Sequence, residues 1–114
     1  MISFVQKYQP TIQNICREEG ISYLALFGSH ARDDVKPHSD VDFIVDFSKR
    51  VSLLDFSRIA LRFEDELGIK VDLVTERSIK PLLRPYIDRD KKVIFYDQSQ
   101  PRLYQRYPAS YNLN

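Results

Sequence analysis

The sequence predicts a small α/β or α+β domain in which a mostly buried sheet alternates with helices. Four short β-prone runs, ISYLALF, VDFIVDF, KVDLVT and KVIFY, are separated by stretches of helical periodicity. The chain has 114 residues, enough for one core and too few for a catalytic domain joined to a separate substrate-binding domain. Its 43% hydrophobic and 29% charged residues are those of an ordinary soluble globular protein, and no apolar run reaches membrane length.

Taken in order, apolar positions at Phe4, Val5, Tyr8, Ile12, Ile15 and Cys16 mark a helix that Pro10 interrupts. The expectation is a short initial turn, then a helix over residues 10–19 stopped by Gly20. Ile21–Phe27 follows as a buried strand running into Gly28 and Ser29. Ser29 is expected to cap a short helix over residues 30–33, and residues 34–39 to form a polar loop. The strand Val41–Phe47 alternates, with Val41, Phe43, Val45 and Phe47 on one face and Asp42, Ile44 and Asp46 on the other. Residues 52–67 carry the clearest helical stripe, with a Ser52 cap and a Gly68 stop. A third strand over residues 70–75, a helix over 78–87 with Pro81 in its first turn, and a last strand Lys92–Tyr96 complete the domain at residues 1–96. Residues 97–114 hold three Gln, three Tyr and two Pro without apolar periodicity, so they read as a polar tail, flexible or partner-binding.

Formal net charge is +1, which gives no bulk argument for nucleic acid. The basic run over residues 84–92 is interleaved with Asp88 and Asp90, and reads as a solvated helix end. No membrane partner is expected. The start MISFVQKYQP has no charged segment leading into a long apolar block, so a cytoplasmic location is expected. Cys16 is the single cysteine; it excludes an internal disulfide and fits the buried face of the first helix better than a catalytic role.

The distribution of acids is less even. Residues 1–47 carry four Lys/Arg against seven Asp/Glu. In LFGSHARDDVKPHSDVDFIVDF, Asp40 and Asp42 are two apart, which on an extended strand places both carboxylates on one face. Like charges held that close call for a cation, and a hard ion such as Mg²⁺ typically takes one or two carboxylates plus substrate phosphates. Gly28 and Ser29, with the N–H groups of the short helix, would hold those phosphates. Asp72 is an acid in an otherwise apolar strand, costly there unless compensated. If its strand lies beside that of Asp40 and Asp42, three carboxylates converge as in a two-metal centre for in-line displacement at phosphorus. Asp46 shares the parity but lies about 13 Å along the strand from Asp42, too far for the same metal. Arg32 either reaches a triphosphate or pairs with Asp33 or Asp34, while His30, His38 and Ser39 read as loop residues. An EF-hand reading of residues 33–42 fails for want of the central glycine and closing glutamate.

The pattern of Gly-Ser, ten residues, Asp-x-Asp and a later third acid resembles the DNA-polymerase-β-type nucleotidyltransferases. Within them, FGSHARDDVKPHSDVDFIVDF and KVDLVTERSIKPLLRPYI resemble the minimal nucleotidyltransferases (MNT) of prokaryotic HEPN/MNT toxin–antitoxin pairs, over residues 2–96. The resemblance implies a nucleotidyltransferase fold with a small mixed β-sheet and helices packed against it. It implies nucleotide binding by Gly28, Ser29 and Arg32, and Asp40, Asp42 and Asp72 as catalytic metal ligands for Mg²⁺, two ions. It further implies ATP as substrate, with AMP passed to a tyrosine of a HEPN ribonuclease toxin in a hetero-oligomer. Family members often carry glycine where this chain has Asp33, an extra acid near the phosphates. Two alternatives stay open: a non-catalytic antitoxin acting by contact, and a nucleotidyltransferase for a small molecule of aminoglycoside type. The missing acceptor domain favours a protein acceptor over the latter.

Overall fold

The computed structural model describes residues 3–32 and 40–97. The elements run α1 (Ser3–Glu19), β1 (Ile21–Phe27), α2 (Ser29–Arg32), β2 (Val41–Phe47), α3 (Leu53–Leu67), β3 (Val71–Thr75), a 3₁₀ turn (Glu76–Ser78), α4 (Arg84–Asp90) and β4 (Lys92–Tyr96). The strands form one mixed sheet in the order β3-β2-β1-β4. β1 pairs antiparallel with both β2 and β4, and β2 pairs parallel with β3 through the α3 crossover. Among the described residues no helix is long and apolar enough to cross a membrane.

The alternation in β2 sorts the core into two layers. Val41, Phe43 and Val45 join Leu24, Leu26, Val71 and Leu73 under α1 and α3, which contribute Ile12, Ile15, Cys16, Ile59, Phe63 and Leu67. On the opposite face Ile44 packs with Tyr23 and Ala25, covered in part by Ile79 and Ile87. Helices thus cover one face heavily and the other lightly; α4 has no fully buried residue.

Three expected boundaries change. The helix predicted from residue 10 starts at Ser3 and runs through Pro10. Pro10 and Gln6, whose carbonyl loses its helical partner there, are both exposed, and Phe4 and Tyr8 pack one turn apart with ring centroids at 5.0 Å. The predicted helix over residues 78–87 is instead a 3₁₀ turn, a turn at 81–83 and the short α4. Pro81 disfavours helical backbone at Lys80, and Pro85 sits in the first turn of α4, where its missing N–H costs nothing. α2 begins at Ser29 itself and is described as far as Arg32; its expected last residue Asp33, the expected loop at 34–39 and the tail from 98 onward lie outside the described residues.

The α3 caps are as its sequence requires. Ser52 Oγ accepts from Asp55 N at 3.0 Å, and Gly68, left-handed at φ 67°, donates its N–H to the Glu64 carbonyl at 2.8 Å. Beyond Gly68, the Val71 N–H donates to Glu64 Oε2 at 3.0 Å, which fixes where β3 begins. Arginines of α3 also hold the end of α1. Arg58 donates to both Glu19 oxygens at 3.0 and 2.8 Å, and Arg62 donates to Glu19, Glu18 and Glu66. These bonds hold the Glu19 carboxyl down at about 2, and the same contacts raise both guanidinium pKa values. Cys16 is fully buried, and burial pushes its thiol up to about 12.

Candidate active site

β1 ends where the chain must turn sharply, and Gly28 makes that turn at φ 75°. Its carbonyl accepts from the N–H groups of Ala31 and Arg32 at 3.1 and 3.2 Å, closing the first turn of α2. Phe27 pairs with Asp42 across β1 and β2, which brings Gly28 against the Asp42 carboxylate. A Cβ on Gly28 would collide with Asp42 Oδ2. Glycine is therefore required here twice over, by the backbone angle and by the close approach.

The parallel register pairs Asp42 with Asp72. Partners in a parallel pair project to the same face from strands about 5 Å apart, so two carboxylates stand side by side at this end of the sheet. Asp42 is half-buried, and Asp72 is exposed on the edge strand β3. The desolvation cost expected for Asp72 therefore does not arise, because Asp72 itself is exposed even though Val74 on the same face packs against the second core cluster. Asp40 is exposed and sits one residue before β2. Asp46 lies farther along β2, opposite Tyr23, and its Oδ1 accepts from Phe47 N at 3.1 Å.

Of the residues expected to act together, Gly28, Asp42 and Asp72 are brought to one end of the sheet by strand register, with Asp40 next to them in the chain. Arg32, exposed at the end of α2, is one turn from Gly28. His38, Ser39, Asp33 and Asp34 lie outside the described residues. Among the described residues no three His, Cys, Asp or Glu side chains cluster tightly enough to hold a metal ion by themselves. The donor set still suits a hard divalent cation. It is all oxygen, with two carboxylates adjacent, and Mg²⁺ completes its shell with water and phosphate rather than with a full protein cage.

A cavity of about 260 Å³ adjoins the turn and shares Gly28 and Arg32 with it. Residues of α4 and the turn before it form its other side, which the sequence reading passed over as a solvated helix end. Three basic residues of that run are paired: Arg84 with Glu76 and Asp88, Arg89 with Asp90, and Lys91 with Asp88 at 2.8 Å. Nothing in the spacing of the run announces a cavity wall. A larger cavity of about 540 Å³ lies at the opposite end of β1, beside Ile21 and Asp97, away from Asp42 and Asp72.

Comparison with known proteins identifies the family and the fold. The family described as "Polymerase beta, Nucleotidyltransferase" matches residues 10–100. A Methanocaldococcus jannaschii chain, named provisionally as a protein adenylyltransferase, is 41% identical over 73 residues, 64% of this chain and 78% of that one. The protein adenylyltransferase MntA of Thermococcus cleftensis is 43% identical over 61 residues, 54% of this chain and 62% of the relative. Among solved structures, a toxin–antitoxin crystallised with AMP-PNP superposes with a TM-score of 0.68 at 23% identity, over 83% of this chain and 78% of the other. A complex of a tri-AMPylated Shewanella oneidensis HEPN toxin with its MNT antitoxin gives 0.63 at 22%, over 86% and 77%. At those identities the structures speak for the fold, and the matched family model covers most of the chain. The chain belongs to the polymerase-β nucleotidyltransferase family.

Proposed function

We propose that this nucleotidyltransferase is the antitoxin of a toxin–antitoxin pair and moves AMP from ATP to a tyrosine hydroxyl of a HEPN ribonuclease toxin. The observation that carries the chemistry is the pairing of Asp42 with Asp72 beside the Gly28 turn. The relatives named as protein adenylyltransferases support a protein acceptor.

In this reading the N–H groups of the turn after Gly28, with Ser29 and Arg32, bind the β- and γ-phosphates. Asp40, Asp42 and Asp72 would hold Mg²⁺, two ions, which supplies charge neutralisation on the triphosphate and lowers the pKa of the attacking hydroxyl. The tyrosine oxygen forms a bond to the α-phosphorus as the bond to the bridging oxygen breaks, and pyrophosphate leaves toward the Gly28 turn. Asp72, exposed on an edge strand, is accessible to an acceptor from outside and would take up its proton. In-line displacement requires acceptor and leaving group on opposite sides of the phosphorus.

The test is to incubate the protein with α-labelled ATP, Mg²⁺ and a cognate HEPN ribonuclease. Label should appear on a toxin tyrosine, and Asp40→Asn with Asp42→Asn should abolish it. A double variant that still silences the toxin without transferring label would assign neutralisation to contact alone.

A further inference from the structure

We infer that the cavity beside Gly28 receives the nucleobase of the triphosphate, with Tyr86 as its stacking platform and Asp90 reading its amino edge. The inference rests on the nucleotidyltransferase reading above and names what the site selects.

Position comes first. The cavity shares Gly28 and Arg32 with the phosphate turn, so a ligand held at that turn is in reach of it. Its chemistry comes second. Away from Arg32, which belongs to the phosphate end, Phe27, Leu83 and Ile87 are apolar and Asp90 adds a carboxylate, so this part of the cavity suits the flat, uncharged part of a nucleotide rather than its phosphates. The acceptor is the competing occupant. It must approach opposite the departing pyrophosphate, from the Asp72 side, which leaves this side to the base.

Tyr86 is placed for stacking. It lies on α4, lines the cavity, and is 61% exposed, far more than the fold needs of a large aromatic ring. The cluster on that face of the sheet takes in Phe27 and Ile87 but not Tyr86. The Arg89 guanidinium lies 5.7 Å from the ring centroid, which orients the ring on its short helix. Aromatic stacking accepts any base, so selection falls to the edge contacts. Asp90 offers acceptors only, so at the exocyclic position it accepts from the amino group of adenine, where hypoxanthine presents a carbonyl and carries its N–H donor one ring position away.

The experiment measures binding of Mg·ATP, Mg·ITP and Mg·tripolyphosphate by calorimetry, and turnover on the toxin in parallel. Wild type should prefer ATP to ITP, and Tyr86→Ala should weaken ATP about tenfold while leaving tripolyphosphate unchanged. Tyr86→Phe should recover most of that loss, and Asp90→Asn should narrow the ATP-to-ITP ratio. In turnover, Tyr86→Ala should raise KM for ATP and spare kcat. Equal loss for ATP and tripolyphosphate, no loss for either, or no ATP binding by wild type would overturn the assignment. So would a raised KM for the toxin with ATP affinity intact, which would give the cavity to the acceptor. Wild type that binds ATP with these preferences but labels no protein would instead sink the adenylylation reading and leave the base site standing.

Discussion

Asp42 and Asp72 are register partners on two strands that run parallel, one half-buried and the other at the open edge of the sheet. Two anions in that relation repel, and a fold that needed only stability would not keep them.

The first prediction follows from that cost. Asp72→Asn should lower transfer by on the order of a hundredfold or more. Its exposed position and the removal of a like charge mean that thermal stability should hold or rise slightly. A melting curve beside a single-turnover assay checks both; lost activity with a lowered Tm would point to misfolding instead.

Gly28→Ala should destabilise the protein by more than about 1 kcal/mol, because alanine at a positive φ is strained and its Cβ meets the Asp42 carboxylate. Pairing it with Asp42→Ala should return part of the loss. Urea denaturation of the single and double variants measures the coupling, and strict additivity would show that only the backbone angle matters.

The Glu19 cluster sets an acid limit. The carboxyl sits at about 2 in the fold against an ordinary 4.5, so its contribution is full above about 4.5 and is lost as pH falls toward 2. Glu19→Gln should cost about 1–2 kcal/mol at neutral pH, a figure reduced for the exposure of Arg58, and should flatten the pH dependence. Denaturant midpoints at pH 3 and pH 7 for both proteins give the comparison.

Cys16 should resist alkylation in the native state. It is fully buried with its thiol at about 12, so Ellman's reagent should react only on the timescale of unfolding. Prompt native-state labelling would contradict its place in the core.

The strands were legible because each carries its own pattern. VDFIVDF alternates, and the two core layers divide its side chains as the alternation requires. Ser52 and Gly68 likewise mark the helix they bound through local hydrogen bonds. Residues 78–87 misled because Pro81 reads as tolerable in a first helical turn, whereas it disfavours helical backbone at Lys80 and the helix begins only at Arg84. The pairing of Asp72 with Asp42 was conditional on strand order, a long-range property that no local spacing contains. Its solvent exposure could not be foreseen either, since an edge strand and a central strand can share one sequence pattern. The cavity wall at Tyr86 depends on where α4 settles over the sheet, which local spacing left unmarked.

The thin layer over the second face has a dynamic consequence. α4 buries no residue fully, whereas α1 and α3 anchor theirs in the main core. Its amides belong to the low end of the local-unfolding scale and should exchange with solvent well before those of α3. A base seated against Tyr86 would close that opening, so slowed hydrogen exchange confined to residues 84–90 would report nucleotide occupancy without any catalysis taking place.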